Sequence, residues 1–296
     1  MGRYLGDIYA ILTAVTWSVA VIFFKLSGAH LGTVQLKVFQ NVIATVLFFV
    51  SMLFIGEPMM LHLDWPDWAR VAASAVIGIT LGDTFYVAAI NRIGAGFQAI
   101  VDGLYMPFVM ILAYVFFKEA VPVGVLWGGL LVIVAITLAN LDVIRTTRIA
   151  RRDLTWGITY AIMSQLAMAI CVVMVKDLLQ AHSLLTLTGY RFLIGSVILV
   201  AVYAWLGQGR AILAGFRPSA SWKVTLPGAL LGPYVATLFW FAGFKYTLAG
   251  KAAVYNQLST ILIIILAALF LNEHLSRNRL IAIFLALTGG WIVLNS

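Results

Sequence analysis

Residues 94–119 return, at reduced identity, as residues 248–273. At a constant offset of 154 the two stretches agree at nine of 26 positions, among them Ala95/Ala249, Gly96/Gly250, Leu104/Leu258, Ala113/Ala267, Phe116/Phe270 and Glu119/Glu273. The echo extends upstream through Gly78/Gly232, Phe85/Phe239 and Ala88/Ala242, and an offset of 151 pairs Gly6/Gly157, Tyr9/Tyr160 and Lys25/Lys176. A chain built this way must fold one unit twice and pack it against its own copy, the construction common among secondary transporters.

The unit itself is apolar. With 63% hydrophobic and 10% charged residues among 296 and a mean hydropathy of +1.03, the chain lies outside the range of soluble globular proteins. A helix needs about 20 apolar residues to cross a hydrocarbon core roughly 30 Å thick. Ten such runs are expected, at 7–26, 34–55, 69–91, 95–117, 122–142, 155–178, 184–206, 223–246, 250–271 and 278–295. They divide into a first unit at 1–142, a basic linker at 143–153 and a second unit at 154–296. The connections leave no room for a soluble domain. The first run is read as a membrane helix rather than a secretory signal, because its counterpart at 157–176 sits mid-chain.

A single cysteine, Cys171, excludes an intramolecular disulfide, and His30, His62, His182 and His274 lack ligand spacing. No metal and no cofactor are expected. The net charge of +8 is read as cytoplasmic-loop and lipid-headgroup charge rather than a nucleic-acid footprint. Five crossings per unit make the second copy enter the membrane upside down. Sorted on that basis, twelve lysines and arginines fall on one face and six on the face holding both termini, which favours termini outside the cytoplasm.

Charges at membrane depth are costly, about 2.5–3.5 kcal/mol on insertion scales, so Asp83, Asp102 and Arg191 stand out. A turn near Ile93 and Gly94 puts both aspartates roughly 13–16 Å deep. If they converge, they resist losing both protons together, giving a group able to exchange protons or hold an amine. Hydrogen bonding to Thr84, Tyr105 or a nearby amide is the structural alternative. Their counterparts in the second unit are Thr237 and Asn256, and Arg191 matches Gln40. Arg191 is read either as the anchor of a substrate carboxylate or as the neutraliser of an aspartate. Trp17, Tyr105 and Tyr255 are the aromatic candidates for stacking on a solute. Lys25 and Lys176 are expected to snorkel to opposite interfaces. Glu119 and Glu273 are expected to favour the positive start of the helix that follows each. Pro107 and Pro233 are expected to form hinges.

The duplicated five-helix unit, Gly78 with Phe85 to Ala89, Ala95-Gly96, and the Glu119 and Glu273 closures resemble the EamA repeats of the drug/metabolite transporter superfamily. The resemblance implies an all-α integral membrane protein, with ten helices in two inverted repeats around a central cavity. It also implies alternating access and export of small molecules without ATP. It favours cytoplasmic termini, opposite to the charge count, and both orientations stay open.

The expected function is a multi-pass secondary transporter of the plasma membrane, the inner membrane in a bacterium. It would export small polar metabolites such as amino acids or related amines, either coupled to protons or facilitative, as a monomer or homodimer in contact with lipid. The nearest rival is a cationic drug or multidrug exporter. A membrane scaffold or channel and a lipid-modifying enzyme are further alternatives. The chain has no phosphate loop, nucleotide motif or His/Asp cluster, so no enzyme is expected.

Overall fold

A computed structural model of the chain describes residues 4–28, 31–142, 148–217, 221–271 and 275–296. The described residues are helical with no strand. Eight helices are long and apolar enough to cross a membrane, and two shorter apolar helices, Tyr105–Phe117 and Val123–Ala139, lie among them. The composition explains the absence of sheet: in hydrocarbon, each backbone N–H and C=O must be satisfied within its own segment, which a helix does.

The run from Trp65 to Asp102 is a single 38-residue span by length, but Gly94 interrupts it at φ 73°, ψ 168°. That left-handed, extended conformation is open to a residue without a side chain. The expected turn at Ile93 and Gly94 therefore has its physical cause in one glycine.

The expected run 95–117 is not one helix. It ends at Asp102, turns through Gly103 and Leu104, and resumes as Tyr105–Phe117. Pro107 is the cause: it offers no N–H to the carbonyl of residue 103, and its ring crowds that carbonyl. Pro107 thus sits in the first turn of a new helix rather than at a mid-helix hinge. The matching residue of the second unit is Ile261, and Ala249–Leu271 runs unbroken.

Two π-helical segments, Val76–Gly82 and Leu230–Ala236, coincide at the offset of 154. Pro233 lies inside the second, where Ile79 stands in the first, so the π-helical turn does not depend on the proline. Each delivers the chain into the helix that carries Asp83 or its counterpart Thr237.

Packing is reciprocal between the units. Leu5–Ser27 packs on Ala249–Leu271, while Arg151–Val173 packs on Asp83–Asp102 and Tyr105–Phe117. Thr33–Ile55 packs on Leu184–Tyr203, and Val123–Ala139 on Arg277–Leu294. At the last crossing, a Cβ added at Gly128 would lie 2.5 Å from the Gly289 carbonyl oxygen, and one at Gly289 would lie 2.6 Å from that of Gly128. Only two glycines permit so close an approach.

Two expectations at the helix ends are corrected. Lys176 does not snorkel: it is 2% exposed and ion-paired with Glu119. Glu119 does not serve the helix that follows it, because its Oε2 accepts the backbone N–H of Ala249 at 3.0 Å. It therefore sits at the positive start of Ala249–Leu271, and an anion there satisfies an otherwise orphaned donor. The expectation for Glu273 lies outside the described residues, as do those for His30 and His274.

Candidate functional site

Asp83 and Asp102 do not share a site. Asp83 Oδ2 is ion-paired with Lys37 Nζ at 2.7 Å, both side chains about a quarter exposed. Asp102 is held differently. Its Oδ1 accepts Gln98 Nε2 at 2.7 Å and also the Gln165 amide, and its backbone carbonyl accepts Gln257 Nε2 at 2.6 Å. Gln98 is one helical turn back on the same face, where i,i+4 side chains meet. Gln165 and Gln257 reach in from Arg151–Val173 and Ala249–Leu271. Three amides thus surround the break between Asp102 and Tyr105.

The second unit lacks this arrangement. Asn256 replaces Asp102, Ala252 stands where Gln98 does, and Ala14 where Gln165 does. Both alanines are fully packed, at 0% and 1% exposure. As a result, Asn256 Oδ1 and Nδ2 are buried with no hydrogen-bond partner. Unpartnered buried polar atoms are rare enough in folded proteins to need a reason.

Further unpartnered groups gather beside it. The Tyr105 hydroxyl faces the Trp240 indole and the Asn256 side chain, with no well-formed hydrogen bond to either. The Trp240 and Phe241 ring centres lie 4.6 Å apart with the planes tilted by 51°, and the Arg191 guanidinium lies over the Phe241 ring at 4.4 Å. Arg191 is 2% exposed, its Nε has no acceptor, and it rests against the Cys171 thiol. Gly78 makes room there: a Cβ on it would lie 2.6 Å from Cys171 Sγ and 3.8 Å from Arg191 Nη2.

Arg191 and Asn256 share a depth. Each stands seven residues beyond the start of its helix, Leu184 or Ala249, or about 10 Å along the axis. Lys245 Nζ donates to the His182 carbonyl at 3.0 Å, which ties the two helix starts to one end of the bundle. Glu119, Lys176, Gln180, Lys245, Tyr246, Thr247 and Leu248 line an open recess of about 380 Å³ at that end.

Of the sequence candidates, Tyr105 and Asn256 face each other, and Arg191 is linked to them by way of Cys171 and the Phe241 and Trp240 rings. Neither aspartate touches Arg191: among the described residues no carboxylate lies within 4.0 Å of it. Trp17 is 37% exposed and packs edge-on against Phe24 of its own helix. Tyr255 is buried with an unpartnered hydroxyl, but adjacent residues on a helix point apart. Gln40 is buried, one turn beyond Lys37. Sequence reasoning missed Lys37, Gln98, Gln165 and Phe241. The spacing of Gln98 to Asp102 carried a usable signal; Lys37 resembled an ordinary interfacial lysine.

Among the described residues no group of three metal-ligating side chains is found. The EamA-like transporter family model matches residues 4–141 and again residues 155–295. A protein of Archaeoglobus fulgidus described as an uncharacterized transporter is 25% identical over 290 residues, covering 96% of each chain. A solved structure described only as a crystal structure of a protein superposes with a TM-score of 0.81. It covers 98% of this chain and 96% of its own at 14% identity, a likeness of fold alone. Two family units, matched end to end on helices apolar enough to span a bilayer, make this chain a multi-pass membrane protein of the EamA-like transporter family.

Proposed function

We propose that the chain is an alternating-access secondary transporter exporting small polar metabolites, amino acids and their relatives foremost, across the plasma membrane. The units are taken as 1–142 and 154–296, joined by the basic linker 143–153. Each contributes five crossings, the second inverted, with Gly94 dividing the 38-residue span in two. Reciprocal packing and matching π-segments support the inversion.

The observation that carries this reading is the cluster of buried, unpartnered polar groups on Tyr105, Asn256 and Arg191. It draws on both units, beside a helix broken at 102–105, and a solute can supply what the protein does not. The partly buried acid-base pair Lys37 and Asp83 and the amide-held Asp102 are the candidates for proton coupling. No enzymatic role is proposed, and monomer or homodimer both fit.

The test is uptake into proteoliposomes of a labelled panel of amino acids, polyamines and quaternary amines, with and without a pH gradient. Wild type and Asp102→Asn are compared. Saturable uptake driven by the gradient, with the drive lost and exchange kept in Asp102→Asn, is expected. Uptake no greater than in empty liposomes for the whole panel would reject the reading.

A further inference from the structure

We infer that Arg191 is the anchor for a carboxylate, so that the site takes small molecules bearing a carboxylate and not purely cationic ones. This rests on the transporter reading and deepens it at the same cluster.

The charge around the site decides between anion and cation. A buried guanidinium needs an anion or a full set of acceptors, and it is expensive without them. The Phe241 face supplies attraction but accepts no conventional N–H hydrogen bond. The Cys171 thiol is a weak acceptor. Both aspartates that could serve Arg191 are engaged elsewhere, Asp83 by Lys37 and Asp102 by Gln98 and Gln165. The cluster thus holds one uncompensated positive charge.

The neutral groups point the same way. The Arg191 Nε–H, the Tyr105 O–H and the Asn256 amide N–H are all donors without acceptors, and a carboxylate is a compact group with acceptor capacity for several donors. The planar fork of arginine matches its two oxygens. Asn256 Oδ1, also unpartnered, leaves an acceptor for an amine or hydroxyl on the same solute. A cation without a carboxylate would meet Arg191 as a like charge, with no free acid to offset it.

The experiment is thermal stabilisation of the purified full-length protein by matched ligands: neutral amino acids and small monocarboxylates, their methyl esters, and their decarboxylated amines. A ligand bound to the folded state raises the Tm in proportion to the logarithm of its concentration over its Kd. At least one acid should raise the Tm, with its ester and amine at least about tenfold weaker. Arg191→Gln should abolish the shift, and Arg191→Lys should restore it in part. The comparison of acid with ester uses wild type alone, so it stands even if the variants fail to fold. An ester or amine as effective as its acid would overturn the anchor, and so would a panel in which no acid shifts the Tm. Saturable transport of amines without stabilisation by acids would sink the anchor and leave the transporter standing. Stabilisation by acids without transport would do the reverse.

Discussion

Thr45 Oγ1 and Ser196 Oγ lie 3.1 Å apart, both buried, and the two residues hold the same position in the two repeats, 151 residues apart. A residue meets its own copy only where the operation relating the units passes between them. Helices Thr33–Ile55 and Leu184–Tyr203 pack together at this contact, which fits the proposed inversion. Thr45 Oγ1 donates to the Asn41 carbonyl at 2.8 Å and so accepts from Ser196, and the pair should be energetically coupled. Ser196→Ala alone is expected to cost about 1 kcal/mol. Adding Thr45→Val should cost less than the sum of the single changes, by about 0.5 kcal/mol or more. A double-mutant cycle on unfolding in detergent measures this, and strict additivity would mean that the contact carries no energy.

Glu119 joins three elements at one end of the bundle, through its ion pair with Lys176 and its bond to the Ala249 N–H. Glu119→Gln should destabilise by about 3–5 kcal/mol, because Lys176 is left buried without its counter-charge. Adding Lys176→Met should recover most of that loss. Thermal unfolding in detergent checks both, and a double variant no more stable than Glu119→Gln would show that the cap on Ala249, not the ion pair, dominates.

Gly289→Ala is expected to lower stability by about 1–3 kcal/mol, since its Cβ would meet the Gly128 carbonyl oxygen at 2.6 Å. Gly209→Ala faces open space with an ordinary helical φ and should be neutral or stabilising by up to about 1 kcal/mol. Unfolding temperatures of the two variants should separate in those directions.

Gln98→Ala with Gln165→Ala gives Asp102 the alanine neighbours, Ala252 and Ala14, that stand at the matching positions around Asn256. Asp102 then loses its amide donors and becomes available to a substrate cation. Competition by amines against transported solute should strengthen by about tenfold, or roughly 1.4 kcal/mol. Inhibition curves measured on proteoliposomes decide it.

Much of the fold was legible because hydrophobic length and duplication are properties of the chain itself. The run at 34–55 needs only its apolar composition, and Gly94 marks a turn whatever surrounds it. What failed depended on partners distant in sequence. Lys176 looks like a snorkelling lysine until Glu119, 57 residues away, is placed against it. Glu119 looks like the neighbour of helix Val123–Ala139, yet its hydrogen bond runs 130 residues onward.

The site was legible in part for the same reason. Arg191, Tyr105 and Asn256 stand out as polar residues within apolar runs. Rise along a helix gives only an expected depth for Asp83 and Asp102 and nothing of the rotation of either helix, so their separate partners were hidden. Asn256 shows how the repeat could have been used further: aligning Ala14 and Ala252 with Gln165 and Gln98 exposes an amide stripped of its partners before any coordinates are seen.

The most direct measurement is counterflow in proteoliposomes loaded with unlabelled carboxylate substrate and diluted into a trace of labelled substrate. Alternating access at one site predicts a transient accumulation of label above equilibrium that disappears in Arg191→Gln. Monotonic equilibration of label at a rate indifferent to the internal load would contradict it and indicate a pore.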